Sequence, residues 1–460
     1  MSNQSKAISR RKFLSQSVLT AAGLVAAGGI ASCSRPEAMP AVKGRVIGAN
    51  DRINIAVIGL GGRGAGIVDT FGAMKGVRIK TICDIDENIF AGYVKRVVDA
   101  QGDVPMTSYD LRRVYDDKDI DAVTISTPNH WHALATIWAC QAGKHVYVEK
   151  PCCHNVYEGR KMVEAARRYN RIVQVGFQNR SIIGVRQAMK FLHDGKLGKI
   201  YMAKGLCYKP RDGIGRYPDS PVPKGVHYDI WLGPAPLRPF NQNRFKYNWH
   251  WHWDYGNGDI GNQGVHQLDV AMWGMNKNEH PVKISSSGGY YAFDSCQETP
   301  NTQTAVYEYS DGSIMQFEVR GLYTNDENGI TVGNLFYGTE GWMYVNGGQW
   351  KTYLGRKNEP GPYSENAGPD ADPTNLAGAG GGGHSDNFIY AVRSGKMTDL
   401  TCDIEVGNMS SALPHLANIA YRLGRTLTFD GKKEQFTGDR QASRMLTREY
   451  RKPYVVPESV

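Results

Sequence analysis

Beyond residue 50, short apolar runs alternate with stretches of helical spacing. Apolar residues fill 53–58, 77–84, 122–126, 145–148 and 172–176, lengths that suit buried strands. Helical stretches cover 65–75, the segment ending near 142, and 156–169, and a short further segment covers 109–114. Repeated strand–helix units predict a parallel, doubly wound α/β sheet. Ligands of such sheets sit at the carboxyl ends of the strands, where Asp84, Asn129 and Lys150 all fall.

After Arg180 the pattern changes. Strands are expected over 199–208, 282–291, 304–309, 313–319, 335–338 and 342–345, with Asp311-Gly312 a strong hairpin signal between two of them. Helices are expected from Ile260, from His384 and over 406–423. Hairpins in place of strand–helix units predict an α+β domain. The organisation read from the chain is therefore a leader over 1–33, a tether over 34–50, a Rossmann domain over 51–178 and an α+β domain over 179–460.

Composition narrows the class. The chain has 460 residues, long enough for two domains, with 41% hydrophobic and 22% charged residues. Those fractions exclude a mostly disordered chain and a multi-span membrane protein. Of the formal net charge of +9, four units come from Lys6, Arg10, Arg11 and Lys12, which lie before residue 33 with no acid among them. The rest is too dispersed to indicate nucleic acid. Twin arginines, a mildly apolar stretch and small residues before Cys33 read as a twin-arginine export signal. Cys33 would then be the acylated first residue, and the mature protein an exported, periplasmic, membrane-anchored lipoprotein. The seven remaining cysteines show no CxxC spacing, which argues against a disulfide framework or cysteine-based zinc site.

The first strand runs into Gly59, Gly61 and Gly64 in GxGxxG spacing, with Gly62 and Arg63 inside the loop. Such a loop gives a tight turn, close approach to a pyrophosphate and close helix–strand contact. Asp84 ends the second strand about 20 residues on, where a ribose-binding carboxylate belongs. A carboxylate there repels a 2′-phosphate and favours NAD, while Arg63 leaves NADP open. Three histidines, His250, His252 and His266, lack matching ligands at metal-site spacing, so no metal is expected.

GxGxxG, Asp84, Thr127-Pro128-Asn129, Glu149-Lys150-Pro151 and Gly176-Phe177-Gln178-Asn179-Arg180, in this order, resemble the Gfo/Idh/MocA oxidoreductases of the glucose–fructose oxidoreductase kind. The resemblance covers about residues 50–425. It implies a second domain built on a large open antiparallel sheet, pairing of subunits into a homo-oligomer, and cofactor contacts from Thr127, Asn129, His132, Glu149 and Lys150. It also implies an acid/base at His266 and an electrostatic partner at Lys150. The family's Asp is replaced by Asn262, four residues before His266, which can orient a hydroxyl but cannot relay a proton as a carboxylate does. Arg180, Tyr208, Trp249, Trp251 and Trp253 are substrate candidates. The Trp–His alternation over 249–253 reads equally as an amphipathic strand or an aromatic-lined loop for a sugar. His384 either reaches the pocket or caps its helix.

Three functions follow. The first is an NAD(P)-dependent oxidoreductase acting on a sugar hydroxyl of a sugar or glycoside, its cofactor tightly held and recycled because an exported enzyme has no free cofactor pool. The second is a redox-neutral glycoside hydrolase working by oxidation, elimination, hydration and reduction. The third is a sugar-binding lipoprotein without catalysis.

Overall fold

The computed structural model describes residues 51–364 and 383–460. The leader, Cys33, the tether and most of the Gly-rich stretch 355–383 lie outside the described residues.

The first sheet has six strands, β1 (Ile53–Ile58), β2 (Val77–Cys83), β3 (Met106–Ser108), β4 (Ala122–Ile125), β5 (His145–Val148) and β6 (Val173–Val175). All pairs are parallel, in the order β3-β2-β1-β4-β5-β6. The order reverses beside β1, the switch point at which such sheets bind ligands. Helices α1 (Arg63–Gly72) and α2 (Phe90–Gln101) cover one face, and α3 (Leu111–Asp116), α4 (Asn129–Gln141) and α5 (Val156–Arg168) the other. Both faces are covered, so β1 and β4 are apolar almost throughout and show no alternation.

The second sheet has ten strands: β7 (Ile200–Cys207), β8 (Lys283–Gly289), β9 (Thr302–Glu308), β10 (Ile314–Arg320), β11 (Val332–Gly338), β12 (Gly341–Asn346), β13 (Gln349–Leu354), β14 (Glu359–Tyr363), β15 (Leu427–Asp430) and β16 (Gln435–Phe436). It is antiparallel except where β10 meets β7. Residues 309–313 close the β9–β10 hairpin, with Gly312 at φ +80°. Burial alternates along β9 and β10 because helices cover only one face. Those helices are α6 (Ile183–His193), α7 (Gly258–Asn262), α8 (Gly264–Gly274) and, later in the chain, α10 (Ile404–Leu423). The start of the Gly-rich stretch, expected as loop, instead supplies β14, which pairs with β13.

The C-terminal part does not stay with the second sheet. Helix α9 (His384–Ser394) buries Phe388, Ala391 and Val392 among Ile55, Phe71 and Tyr147 of the first domain. Tyr454, Val456 and Val460 join the core on its other face. The expected division at residue 178 is thus crossed twice by apolar side chains that the first sheet needs to cover its faces. Among the described residues no helix is long and apolar enough to cross a membrane.

Candidate active site

The glycine loop is built by close approach. A Cβ on Gly64 would lie 2.0 Å from the Gly59 carbonyl oxygen. One on Gly59, at φ +84°, would lie 2.7 Å from the Ser126 carbonyl carbon. Gly61 and Gly62 face open space, and a Cβ on either would meet nothing within 4 Å. Asp84 closes the loop from β2: its carboxylate accepts from Leu60 N at 2.7 Å and Asp86 N at 3.0 Å. Burial raises its pKa, and these amides partly offset that rise. A carboxylate has about four acceptor positions, so Asp84 retains capacity for ribose hydroxyls.

The residues present fit a dinucleotide. The open face of Gly61 and Gly62 leaves room for a pyrophosphate at the start of α1. At the end of β4, Ser126 Oγ and Thr127 Oγ1 are buried without hydrogen-bond partners, as expected of groups awaiting a ligand. Arg63 is drawn to Glu149 on the β5 side (Nε–Oε1 3.2 Å) rather than toward Asp84, which weakens the case for a 2′-phosphate.

Several expected contacts are redirected by the tertiary structure. Glu149 is almost fully buried and holds Arg63 and the Gln178 amide, so it organises the loop ends. His132 places its ring between the carbonyls of Pro151 and Thr127, each at 2.7 Å. Burial lowers its pKa, so the neutral ring donates to one of these carbonyls at a time, and the contact ties the β4 loop to the β5 loop. Asn129 sits at the start of α4, its Oδ1 3.4 Å from Asn257 Nδ2.

Lys150 and His266 lie in one field. The Lys150 Nζ donates to the Asn262 carbonyl at 2.6 Å. Burial lowers the lysine to about 8, with Arg63 and Lys209 pushing the same way against Glu149 and Asp259. Burial, then the charges of Lys150, Arg63 and Lys209, hold His266 well below its ordinary range, so it is neutral at pH 7. Its Nδ1 is buried without a partner, and the ring meets Phe177 edge-on at 5.9 Å.

The expected helix from Ile260 is present with one irregular turn at Gln263, which keeps helical dihedrals while His266 N bonds the Gln263 carbonyl and leaves the Asn262 carbonyl free. Helix α7 ends at Asn262 and α8 begins at Gly264, with Gln263 between them. Asn262 therefore orients Lys150 through its backbone oxygen, while its side chain reaches the Tyr247 hydroxyl at 3.3 Å.

The substrate candidates separate. Arg180 makes a bidentate pair with Asp269 (Nε and Nη2, 2.7–3.0 Å), both side chains buried, and Ser410 also donates to Asp269. It is a buried ion pair that commits Nε and Nη2 of the guanidinium to Asp269. Tyr208 lies on the sheet face away from the helices, where its hydroxyl sits 3.0 and 2.9 Å from the carboxylates of Glu318 and Glu327 and donates its one proton to either. Strand alternation sends Ala203, Gly205 and Cys207 toward α8 and Tyr208 to the far side. The Trp–His run is a 3-10 helix, Asn248–Trp251, not a strand. Three residues per turn fan its side chains apart. Trp249 stacks on His250 at 3.6 Å, Trp251 is buried beneath Arg211, and Trp253 lies against Arg422. Burial pulls His250 down to about 3, and the charges of Lys150 and Arg211 reach it, so this ring borders the site. His384 neither reaches the pocket nor caps by its side chain. Its ring bonds Val175 O and Ser181 Oγ, pinning α9 to β6.

Sequence reasoning missed Lys209, Gln263, and the Arg211–Asp259 pair (2.5 and 2.8 Å). The polar run after β7 was the available signal, but only folding brings it beside α7.

A glycine-rich turn at the switch point, an acid ending β2, and a lysine whose charge reaches a neutral histidine define a dinucleotide-dependent oxidoreductase fold. Residues 53–177 match the oxidoreductase family's NAD-binding Rossmann fold, and residues 199–456 match the same family's C-terminal alpha/beta domain. The chain belongs to the Gfo/Idh/MocA oxidoreductase family. A glycosyl hydrolase family 109 protein of Shewanella pealeana is 35% identical over 170 residues, 35% of this chain and 37% of that protein. The matched part thus spans little more than a third of that curated relative. The aldose-aldose oxidoreductase of Caulobacter crescentus, solved with glycerol, superposes with a TM-score of 0.62 at 18% identity, covering 82% of this chain and 100% of that one. A levoglucosan dehydrogenase solved with NADH gives 0.62 at 19% identity, over 82% and 98%. At these identities the two structures establish the fold.

Proposed function

We propose that the protein is an NAD-dependent oxidoreductase acting on a hydroxyl of a sugar or glycoside, with a tightly held cofactor recycled on the enzyme. The observation that carries this reading is the pairing of a neutral, uncommitted His266 with the half-buried Lys150 ammonium at the end of β5. A bound nicotinamide supplies acceptance and return of hydride. His266 takes the hydroxyl proton, which its neutral ring suits at pH 7. Lys150, oriented by the Asn262 carbonyl, donates to the same oxygen and stabilises the developing alkoxide. Two of the superposing structures are an aldose-aldose oxidoreductase and a levoglucosan dehydrogenase, which supports a sugar as substrate.

A second reading rests on the likeness to family 109 glycosyl hydrolases. There the same proton and charge handling serves a transient oxidation, and the glycosidic bond is cleaved without net redox change.

The leader reading places the enzyme outside the cytoplasm, exported folded through the twin-arginine route and held to the membrane through acylated Cys33. The aromatic face of the second sheet, with Tyr337, Trp342 and Tyr344 beside Leu206 and Leu335, supports pairing of two copies there.

The test begins with purified protein, denatured and assayed by mass for released nicotinamide. Retained NAD is expected, and keto-sugar should form from an added sugar or glycoside when a second sugar is present to take the hydride back from the cofactor. Glycoside cleavage without keto product, lost on cofactor removal, would favour the hydrolase. An empty protein that fails to bind added NAD would sink both readings.

A further inference from the structure

The cations around the site are not all balanced. Arg63 is paired with Glu149, and Arg211 with Asp259. Lys150 and Lys209 instead meet neutral oxygens on consecutive residues: the Asn262 carbonyl at 2.6 Å and Gln263 Oε1 at 2.8 Å. Among the described residues no carboxylate lies in ion-pair contact with either ammonium. The irregular turn between α7 and α8 therefore gathers two unpaired positive charges at one point, next to His266.

One cation suffices for the reacting oxygen of a neutral sugar. The second has no counterpart in that chemistry. A half-buried ammonium without an anion costs free energy that a ligand can return. Lys209 is also held ready. Gln263 occupies one of its three donors, which leaves two. Gln263 Nε2 is directed to Gln267 Oε1 at 3.4 Å, which turns its oxygen to the lysine. Two residues on, Arg211 is fixed by Asp259, by the Tyr247 hydroxyl and by its own amide bond to Gly321 O. The loop after β7 is thus anchored immediately beyond Lys209.

We infer that the substrate is an anionic sugar, and that Lys209 holds its negative group while Lys150 serves the reacting hydroxyl. The inference rests on the oxidoreductase reading above. Carboxylate and phosphate would satisfy the same donors, so both are tested.

The experiment uses the full mature chain with its NAD. It compares glucose, glucuronate and glucose 6-phosphate, and the same three forms of galactose and mannose, each with a fixed excess of a keto-sugar that takes the hydride back from the bound cofactor. The expected result is a kcat/KM for one class of anion about tenfold or more above the neutral sugar, carried by KM and weakened by salt. In Lys209→Met that ratio should collapse toward one, and in Lys209→Arg it should partly return. Equal or better use of neutral sugars by the wild type would overturn the inference and leave the oxidoreductase reading intact. So would a Lys209→Met variant that lowers all three forms alike. If no sugar turns over, the oxidoreductase reading fails, and binding to the NADH-loaded protein decides the rest. Salt-sensitive quenching of nicotinamide fluorescence by an anionic sugar, lost in Lys209→Met, would support the anion site. No binding of any anion would refute it.

Discussion

Replacing Lys150 with methionine should remove turnover while raising the melting temperature. The side chain is an ammonium whose pKa burial lowers from 10.5 to about 8. At pH 7 that drop corresponds to about 3 kcal/mol of unfavourable burial. Methionine fills similar space without charge but gives up the bond to Asn262, worth about 1–2 kcal/mol. The net gain is about 1–2 kcal/mol. For a folded unit of roughly 400 residues, at about 2.1 cal/mol/K each, this amounts to about 1–2 °C. The sign depends on pH. Below 8 the lysine is charged in both states, and the folded state bears the whole penalty. Between 8 and 10.5 the folded state loses its proton first and the penalty falls by about 1.4 kcal/mol per pH unit, so the variant's net advantage is gone near pH 9 and the variant is the less stable of the two by 10.5. Thermal melts from pH 7 to 10.5, with cofactor content matched, read this directly. Sugar-dependent turnover should fall about 10²–10⁴-fold. A variant that melts lower at every pH, or that keeps turnover within tenfold, would refute the assignment of Lys150 as a buried, unpaired cation serving the reaction.

His266→Gln should lower kcat by about 10²–10⁴-fold with little change in melting, because the ring makes no hydrogen bond that folding depends on. The wild-type kcat/KM should decline above pH 8 as Lys150 loses its proton, and Lys150→Arg should move that decline upward. Arg180→Met should cost about 3–5 kcal/mol in denaturant melts by stranding buried Asp269, while the folded fraction keeps its KM. A raised KM at unchanged stability would return Arg180 to the substrate site. Gly61→Ala should leave cofactor-free melting nearly unchanged, since its Cβ meets nothing, yet weaken NAD retention about tenfold, a loss of about 1.4 kcal/mol.

Much of this was local enough to read along the chain. The apolar runs of β1, β4 and β5 are buried on both faces, so their composition alone marks parallel strands, while β2 alternates through half-exposed Arg78 and Lys80 before its buried end. The glycine loop and Asp84 are bound by short-range geometry: a turn, a helix start and a strand end fix their spacing. Lys150 at the end of β5 follows from the same register. Helix α2 and strands β3, β13 and β14 escaped because their faces are largely exposed and carry weak periodicity.

The tertiary structure decided what each side chain spends its hydrogen bonds on. Arg180 and Asp269 are 89 residues apart, and only folding turns a candidate ligand into a buried ion pair. His132, expected at the cofactor, lies between the carbonyls of Pro151 and Thr127, which only the folded loops bring to the ring. At Gln263 one turn of the expected helix is irregular, and the Asn262 carbonyl left free there meets Lys150 across 112 positions of sequence. Period and spacing thus determine elements and loops, because those depend on neighbours in the chain. Which polar group faces open space, and which is satisfied, depends on neighbours in space.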